Sequence, residues 1–167
     1  MTEADLETVA AIERDSHNPL PPEGLSVFTN RLALFAAGCF VVGGPVDGYA
    51  IAHPWAGAAP ALGSVLETLP DAPSHLFLHD VALRPALRGR GLVAALVDVL
   101  RGLAAARGLP EIRLTAVHGT APRWARLGFE ADGGSVSAGY GDTAVAMRLA
   151  VPKRPGLSRP GDGCQGS

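Results

Sequence analysis

Cysteine is scarce in this 167-residue chain, which holds two. Cys39 lies in an apolar run and Cys164 in the C-terminal stretch, with no paired spacing, so neither a disulfide framework nor a zinc or other metal site is indicated. A reducing, cytoplasmic setting is the expectation. Basic excess is lacking as well. The 14 Lys and Arg against 16 Asp and Glu leave a net charge of −2, which gives no overall footprint for nucleic acid. The apolar run from Leu32 to Val42 falls well short of the ~20 residues a spanning helix needs, and Met1-Thr2-Glu3-Ala4-Asp5 does not read as a signal peptide. A soluble protein with no nucleic-acid or membrane partner is therefore expected. The chain has no internal repeat. What it does have suits one compact domain: 47% hydrophobic and 18% charged residues, at a length that fits a single core.

From the N-terminus, Thr2 with Asp5 reads as a capping box, and Leu6, Val9, Ala10 and Glu13 give a helix one apolar and one polar face until about Asp15. The segment SHNPLPP breaks it. Leu25, Phe28, Leu32 and Phe35 repeat at helical spacing, which predicts a second helix over 23–36 ending near Gly38. CFVVGG and YAIAHPW then read as the strands of a hairpin turning through GGPVDG. Residues 56–74 are rich in Ala, Gly and Pro and predict a loop, with one helical turn near Ser64 to Thr68. Ile112, Leu114 and Ala116 alternate as a strand, Thr120 and Pro122 open another helix, and Tyr140 to Leu149 reads as a final strand. Beyond Val151 the stretch PKRPGLSRPGDGCQGS lacks apolar residues to bury, so 151–167 is expected to be a disordered tail.

The most informative stretch is LFLHDVALRPALRGRGLVAALVDVLRGLAA, residues 76–105. An apolar strand passes through a basic, glycine-spaced turn directly into a long amphipathic helix over 92–107. Gly89 and Gly91 remove the side chains that would hold a ligand off the backbone, and a helix opening at Leu92 leaves several N–H groups without internal partners. Arg88 and Arg90 add positive charge, so the turn reads as a pyrophosphate cradle. Leu92, Ala95, Leu96, Val99, Leu100 and Leu103 form the helix's apolar stripe before Gly108 and Pro110 stop it. Gly89-x-Gly91-x-x-Ala94 also fits the dinucleotide pattern, but Arg84-Pro85-Ala86-Leu87 intervenes after the strand, and Glu111 begins its strand where an acidic residue should end one. With no lysine after the glycines, a P-loop is excluded.

Arg88-Gly89-Arg90-Gly91, set between a strand ending Val81-Ala82-Leu83 and a helix, resembles the acyl-CoA signature of the GNAT superfamily of N-acyltransferases. The following strand 111–117 and HGTAPRWARLGFE, with its closing Gly128-Phe129, are similar to the rest of that family's core. One position departs in either register: Ala86 stands at the leading place when the signature is anchored on Gly89 and Gly91, and Val93 at the closing place when it is anchored on Arg88 and Gly91. The resemblance implies an α+β fold over residues 1–150, with a mixed, mostly antiparallel sheet flanked by helices and splayed between the strands before and after the CoA-binding helix. It also implies a first strand that this chain lacks or nearly lacks. Either the strand near Phe40 becomes a sheet edge, or the protein starts upstream.

The implied activity is transfer of an acetyl group from acetyl-CoA, as co-substrate, to a primary amine by direct attack in a ternary complex. The acceptor would be a small-molecule or peptide amine, and the protein a monomer or homodimer. Val81, Ala82 and Leu83 would hydrogen-bond the pantetheine through their backbone, and Arg88, Gly89, Arg90, Gly91, Leu92 and Val93 would hold the pyrophosphate. An alkylamine of pKa near 10.4 must lose a proton before it attacks, at a cost of about 4.6 kcal/mol at pH 7, so a base is useful. His79 and Asp80 lie where the family often places a carboxylate or histidine, and His79 ranks first because an unperturbed imidazole titrates near neutrality. In a regular strand only one of the two would enter the cleft.

Aligning on Gly128-Phe129 puts Trp124 where many members carry a proton-donating tyrosine. Indole cannot supply that proton, and Trp124 is expected against the cofactor or core. Tyr140 is the other candidate phenol. His118, Arg123 and Arg126 are weaker candidates for the CoA phosphates, and His53, Trp55 and His17 for the acceptor side. A non-catalytic acyl-CoA sensor or interaction domain is the alternative reading.

Overall fold

The computed structural model describes residues 1–16, 20–137 and 139–152. Helix α1 spans Leu6–Ser16 and α2 Leu25–Phe35. The hairpin β1 (Cys39–Val42) and β2 (Gly48–Trp55) follows, then β3 (His75–Leu83), α3 (Leu92–Ala106), β4 (Glu111–Ala116), α4 (Ala121–Ala125), β5 (Glu130–Ala131) and β6 (Val145–Ala150). One six-stranded sheet runs β1-β2-β3-β4-β6-β5, antiparallel throughout except at β3 and β4. The strand near Phe40 is therefore the sheet edge.

Entry into α1 follows the expected capping box: the Asp5 carboxylate accepts the Thr2 N–H at 2.7 Å and the Thr2 hydroxyl at 3.0 Å, after which a 3₁₀ turn over Glu3–Asp5 runs into the helix. Leu6, Val9, Ala10 and Ile12 bury one face of α1 against Phe28 of α2 and against Tyr49, Ile51 and Ala82 of the sheet. On the opposite face, Val97, Leu100 and Ala104 of α3 pack over Ala50, Ala52, Leu76, Leu78, Ile112 and Leu114. Burial of this kind, at roughly 1.5–3 kcal/mol per large aliphatic side chain, is what holds the two helical layers to the sheet.

The parallel junction is the fold's distinctive feature. β3 and β4 pair only from Leu76 with Ile112 to Leu78 with Leu114. Both strands continue, β3 to Leu83 and β4 to Ala116, without pairing to each other, so the sheet opens into a V on the C-terminal side of Leu78. Register also slips within the β2–β3 ladder. Ile51 faces Asp80 but Ala52 faces Leu78, which leaves His79 as an extra, bulged residue and reverses the facing of the strand beyond it.

Several expectations are corrected. Of the expected α3 stripe Leu100 is buried and Leu96 and Leu103 pack against the core, but Ala95 is exposed and Val99 is 51% exposed, and Val97 and Ala104 are buried in their place; the apolar residues outnumber what the sheet can cover, and periodicity alone set one edge of the stripe wrongly. No helical turn forms near 64–68. The carbonyls there serve α2 instead: Ser64 accepts from the Arg31 guanidinium at 2.9 Å and Leu66 from the Asn30 amide at 2.9 Å. The final strand starts at Val145 rather than Tyr140, because Gly139 and Gly141 take positive φ and the chain has not yet become extended. The two-residue β5 was not foreseen; so short a segment carries no readable alternation. Val151 is buried, with its N–H on the Pro110 carbonyl at 2.8 Å, so packing runs one residue into the expected tail. The rest of that tail, 153–167, lies outside the described residues, as does His17.

Candidate active site

Gly91 is the N-cap of α3, with φ 76°, and Gly89 has φ 73°. Both values strain any residue with a Cβ, and the space that a Cβ would enter is open at both positions. No side chain caps α3 and no acidic residue sits in its first turn. The N–H groups at the start of that helix are thus left for a ligand, with the helix dipole adding attraction for an anion. Arg88 ties the turn to the strand it leaves, its Nε–H donating to the Leu83 carbonyl at 3.1 Å.

A cleft of about 860 Å³ opens from this turn into the V. Val81, Ala82 and Leu83 form one wall with Arg88, Gly89 and Val93, while Leu114, Thr115, Val117, His118, Arg123 and Trp124 line the other. Beyond Leu78 the β4-facing edge of β3 has no strand partner, so its backbone groups can hydrogen-bond an extended ligand as a further strand would. Trp124 packs edge-on against Phe129, ring centroids 5.4 Å apart, as a wall residue. Of the other expected cradle residues, Arg90 and Gly91 are exposed beside the cleft, and Leu92 borders a separate apolar groove toward β1 that Val93 lines as well as the cleft. Arg126 does not line the cleft; Arg123 does.

At the other end of the V the cleft reaches the α1–α2 face. The bulge at His79 allows His79 and Asp80 both to line it, correcting the expectation that only one would. Asp80 accepts a short hydrogen bond from the Tyr49 hydroxyl, and Arg84 pairs with Asp47 at 3.7 Å. His79 Nε2 lies 3.0 Å from Glu23 Oε2. A carboxylate only accepts, so Nε2 carries the proton and donates. Glu23 also accepts the Gly63 N–H at 3.2 Å. Glu13, 2% exposed, accepts the backbone N–H groups of Glu23 and Gly24, the latter at 3.4 Å. Burial raises the Glu13 pKa above the usual carboxylate range, with the neighbouring Asp80 and Glu23 charges adding to the rise.

Tyr140 is buried on the cleft wall and donates to the Pro60 carbonyl at 3.2 Å. Burial, then the nearby carboxylates, push its phenol pKa up, which favours the neutral hydroxyl. His53 and Trp55 do not line the cleft. The His53 ring is fully buried against Trp55, Phe77 and His79, and Trp55 donates to the Ala58 carbonyl at 2.8 Å.

Neither Glu13 nor Glu23 is marked by the sequence as a site residue. A signal for Glu13 was present: it continues the spacing of Leu6, Val9 and Ala10, so it sits on the buried stripe rather than the polar face. Glu23 had only its place in the loop between two helices.

A sheet split between two parallel strands, with an uncapped, glycine-opened helix at the mouth of the split, is the architecture of the GNAT fold. The chain belongs to the acetyltransferase (GNAT) family, whose model matches residues 6–129. No curated protein sequence matches it. Among solved structures it is similar to GphF, a GNAT-like decarboxylase in complex with isobutyryl-CoA, at 17% identity over 91% of this chain and 97% of that one, TM-score 0.71. It is similar also to the ribosomal-protein-S18-alanine N-acetyltransferase of Escherichia coli, at 19% identity over 94% of each chain, TM-score 0.61. A third is Naa20 of Chaetomium thermophilum in complex with a bisubstrate analogue, at 17% identity over 90% of this chain and 84% of that one, TM-score 0.63. At these identities the likeness is one of fold. No helix among the described residues is long and apolar enough to cross a membrane, and none of their His, Cys, Asp and Glu side chains group as a metal site.

Proposed function

We propose that the protein is an N-acetyltransferase that moves an acetyl group from acetyl-CoA to a primary amine, by direct attack in a ternary complex. The supporting observation is the continuity of the cleft, which runs from Arg88 and Gly89 on the α3 side to Glu13, Glu23, His79 and Asp80 on the α1–α2 side. The two reactants would enter from opposite sides and meet at the bulge, with orientation supplying much of the rate. Val81 to Leu83 would hold the pantetheine, and Arg88, Gly89 and the α3 N-terminus the pyrophosphate. These groups suit coenzyme A in charge, backbone access and room.

The acceptor end is rich in carboxylates. That favours an ammonium ion and disfavours an acyl group bearing its own carboxylate, which weighs against the decarboxylation named for GphF. Small-molecule and peptide amines both fit this charge. A cytoplasmic monomer or homodimer is the setting we infer.

The acyl-CoA sensor is the second reading, favoured by Trp124, at the place where the family's tyrosine is expected, and by the Tyr140 hydroxyl already engaged at Pro60. Calorimetric titration with acetyl-CoA, with NAD as comparison ligand, followed by thiol release across an amine panel, separates the readings. Saturable acetyl-CoA binding with amine-dependent release of CoA supports the enzyme. Binding with no release from any amine supports the sensor, and NAD binding alone removes both.

A further inference from the structure

We propose that Glu23, rather than the imidazole of His79, meets the acceptor, which binds as an alkylammonium and gives its proton to the Glu23 carboxylate, while His79 acts from behind as a positioning residue. This rests on the acetyltransferase reading of the cleft.

The geometry separates the two side chains. The His79 side chain is 0% exposed and that of Glu23 6%. His79 spends its Nε2 on Glu23, and its Nδ1 is buried without a hydrogen-bond partner. The rings of His53 and Phe77 stand 5.8 and 6.2 Å from it. Neither imidazole nitrogen is therefore presented to an incoming amine. Glu23 lines the cleft and is held from three directions: Glu13 on α1 takes its backbone N–H, while His79 on the β3 bulge and the Gly63 N–H share its Oε2. A carboxylate fixed at that one oxygen is pre-set to use the other on a ligand.

The surroundings suit a cation. Around Glu23 stand Glu13 from α1, His79 from β3, Tyr49 from β2, Arg31 from α2 and Tyr140 from the segment before β6, with Asp80 on the Tyr49 hydroxyl and His53 against the His79 ring. Arg31 is the one permanent cation in that group, and its guanidinium hydrogen bonds go to Asn30 and Ser64 rather than to a carboxylate.

The step balances as follows. The ammonium N–H bond breaks as the proton passes to Glu23, and the freed nitrogen lone pair attacks the thioester carbonyl carbon. A C–N bond forms and the C–S bond breaks with its electron pair leaving on sulfur. The second nitrogen proton ends on the CoA thiolate through solvent, and the proton on Glu23 returns to bulk water.

The test compares two acceptors across pH: an alkylamine, protonated at neutrality, and an O-alkylhydroxylamine, which is already neutral there. In Glu23→Gln, kcat/KM for the alkylamine at pH 7 is expected to fall about 100-fold or more and to recover with rising pH as the free amine increases, while the O-alkylhydroxylamine changes less than about fivefold. Glu23→Asp should restore part of the alkylamine rate, and His79→Gln, which keeps a donor toward Glu23, should slow the alkylamine less than Glu23→Gln does, again with the O-alkylhydroxylamine little changed. Acetyl-CoA affinity by calorimetry should match wild type in each variant.

Alkylamine turnover within threefold of wild type in Glu23→Gln overturns the assignment, as does equal loss of both acceptors with acetyl-CoA binding intact. So does a larger loss of alkylamine turnover in His79→Gln than in Glu23→Gln, with the ratio of the two acceptors moved only in His79→Gln. A wild-type protein that binds acetyl-CoA and acetylates neither amine overturns the acetyltransferase reading itself, a failure distinct from these.

Discussion

At the scale of single residues, His53, His75 and His79 are all buried. Burial lowers the pKa of His53 to about 3 and of His75 to about 4. Both are neutral in the folded protein, whereas an unfolded imidazole gains its proton near pH 6.5. Below that pH the unfolded state binds protons the folded state refuses, so stability is full above about 6.5 and falls as the pH drops toward the folded values. Between pH 6.5 and 5 each histidine should remove about 2 kcal/mol. Glu13 works the other way, since its raised pKa favours proton uptake by the folded state. The expected net result is a urea midpoint that declines between pH 7 and 5, with a smaller decline in His53→Gln; equal declines in variant and wild type would remove His53 from the account. Position 79 could be picked out from its strand and ordinary imidazole chemistry. Its partner could not, because Glu23 looks in the sequence like any loop carboxylate.

At the scale of elements, two glycines make opposite predictions. Gly38 lies where α2 turns into β1, and a Cβ there would stand 2.0 Å from the Ala52 carbonyl oxygen of β2. Backbone of a central strand cannot yield, so Gly38→Ala should destabilise by more than about 2 kcal/mol, read as a lowered chemical-denaturation midpoint. Gly91→Val meets no neighbour but places a β-branched residue at φ 76°. Its fold should survive by circular dichroism, and its acetyl-CoA affinity should drop at least about tenfold; unchanged affinity would detach the turn from the cofactor. The glycine turn and the helix start were legible because glycine spacing and helix onset are local properties. The edge of the α3 stripe was not, since a helix this apolar offers more residues than one face can bury, and only the sheet beneath chose Val97 and Ala104 over Ala95 and Val99.

For the whole molecule, the working feature is the V between β3 and β4, which parts the sheet while Leu76 to Leu78 keep it joined. A cofactor lying there would supply the missing backbone partners to both edges. Hydrogen exchange with saturating acetyl-CoA should slow at the first turn of α3, at 81–83 and at 115–118, and leave the β1–β2 hairpin and β5 unchanged. Protection confined to the hairpin would place the ligand elsewhere. The amino-acid sequence determined the helices, most of the strands, the glycine turn and the family resemblance, because dihedral preference and apolar period act over a few neighbouring residues. The tertiary structure alone decided that His79 bulges, so that it and Asp80 share a face, and that Glu23, 56 residues away along the chain, closes on its imidazole. A register slip is chosen by the partner strand and a long-range contact by the packing of two helices over a sheet, and neither leaves a local mark in the sequence.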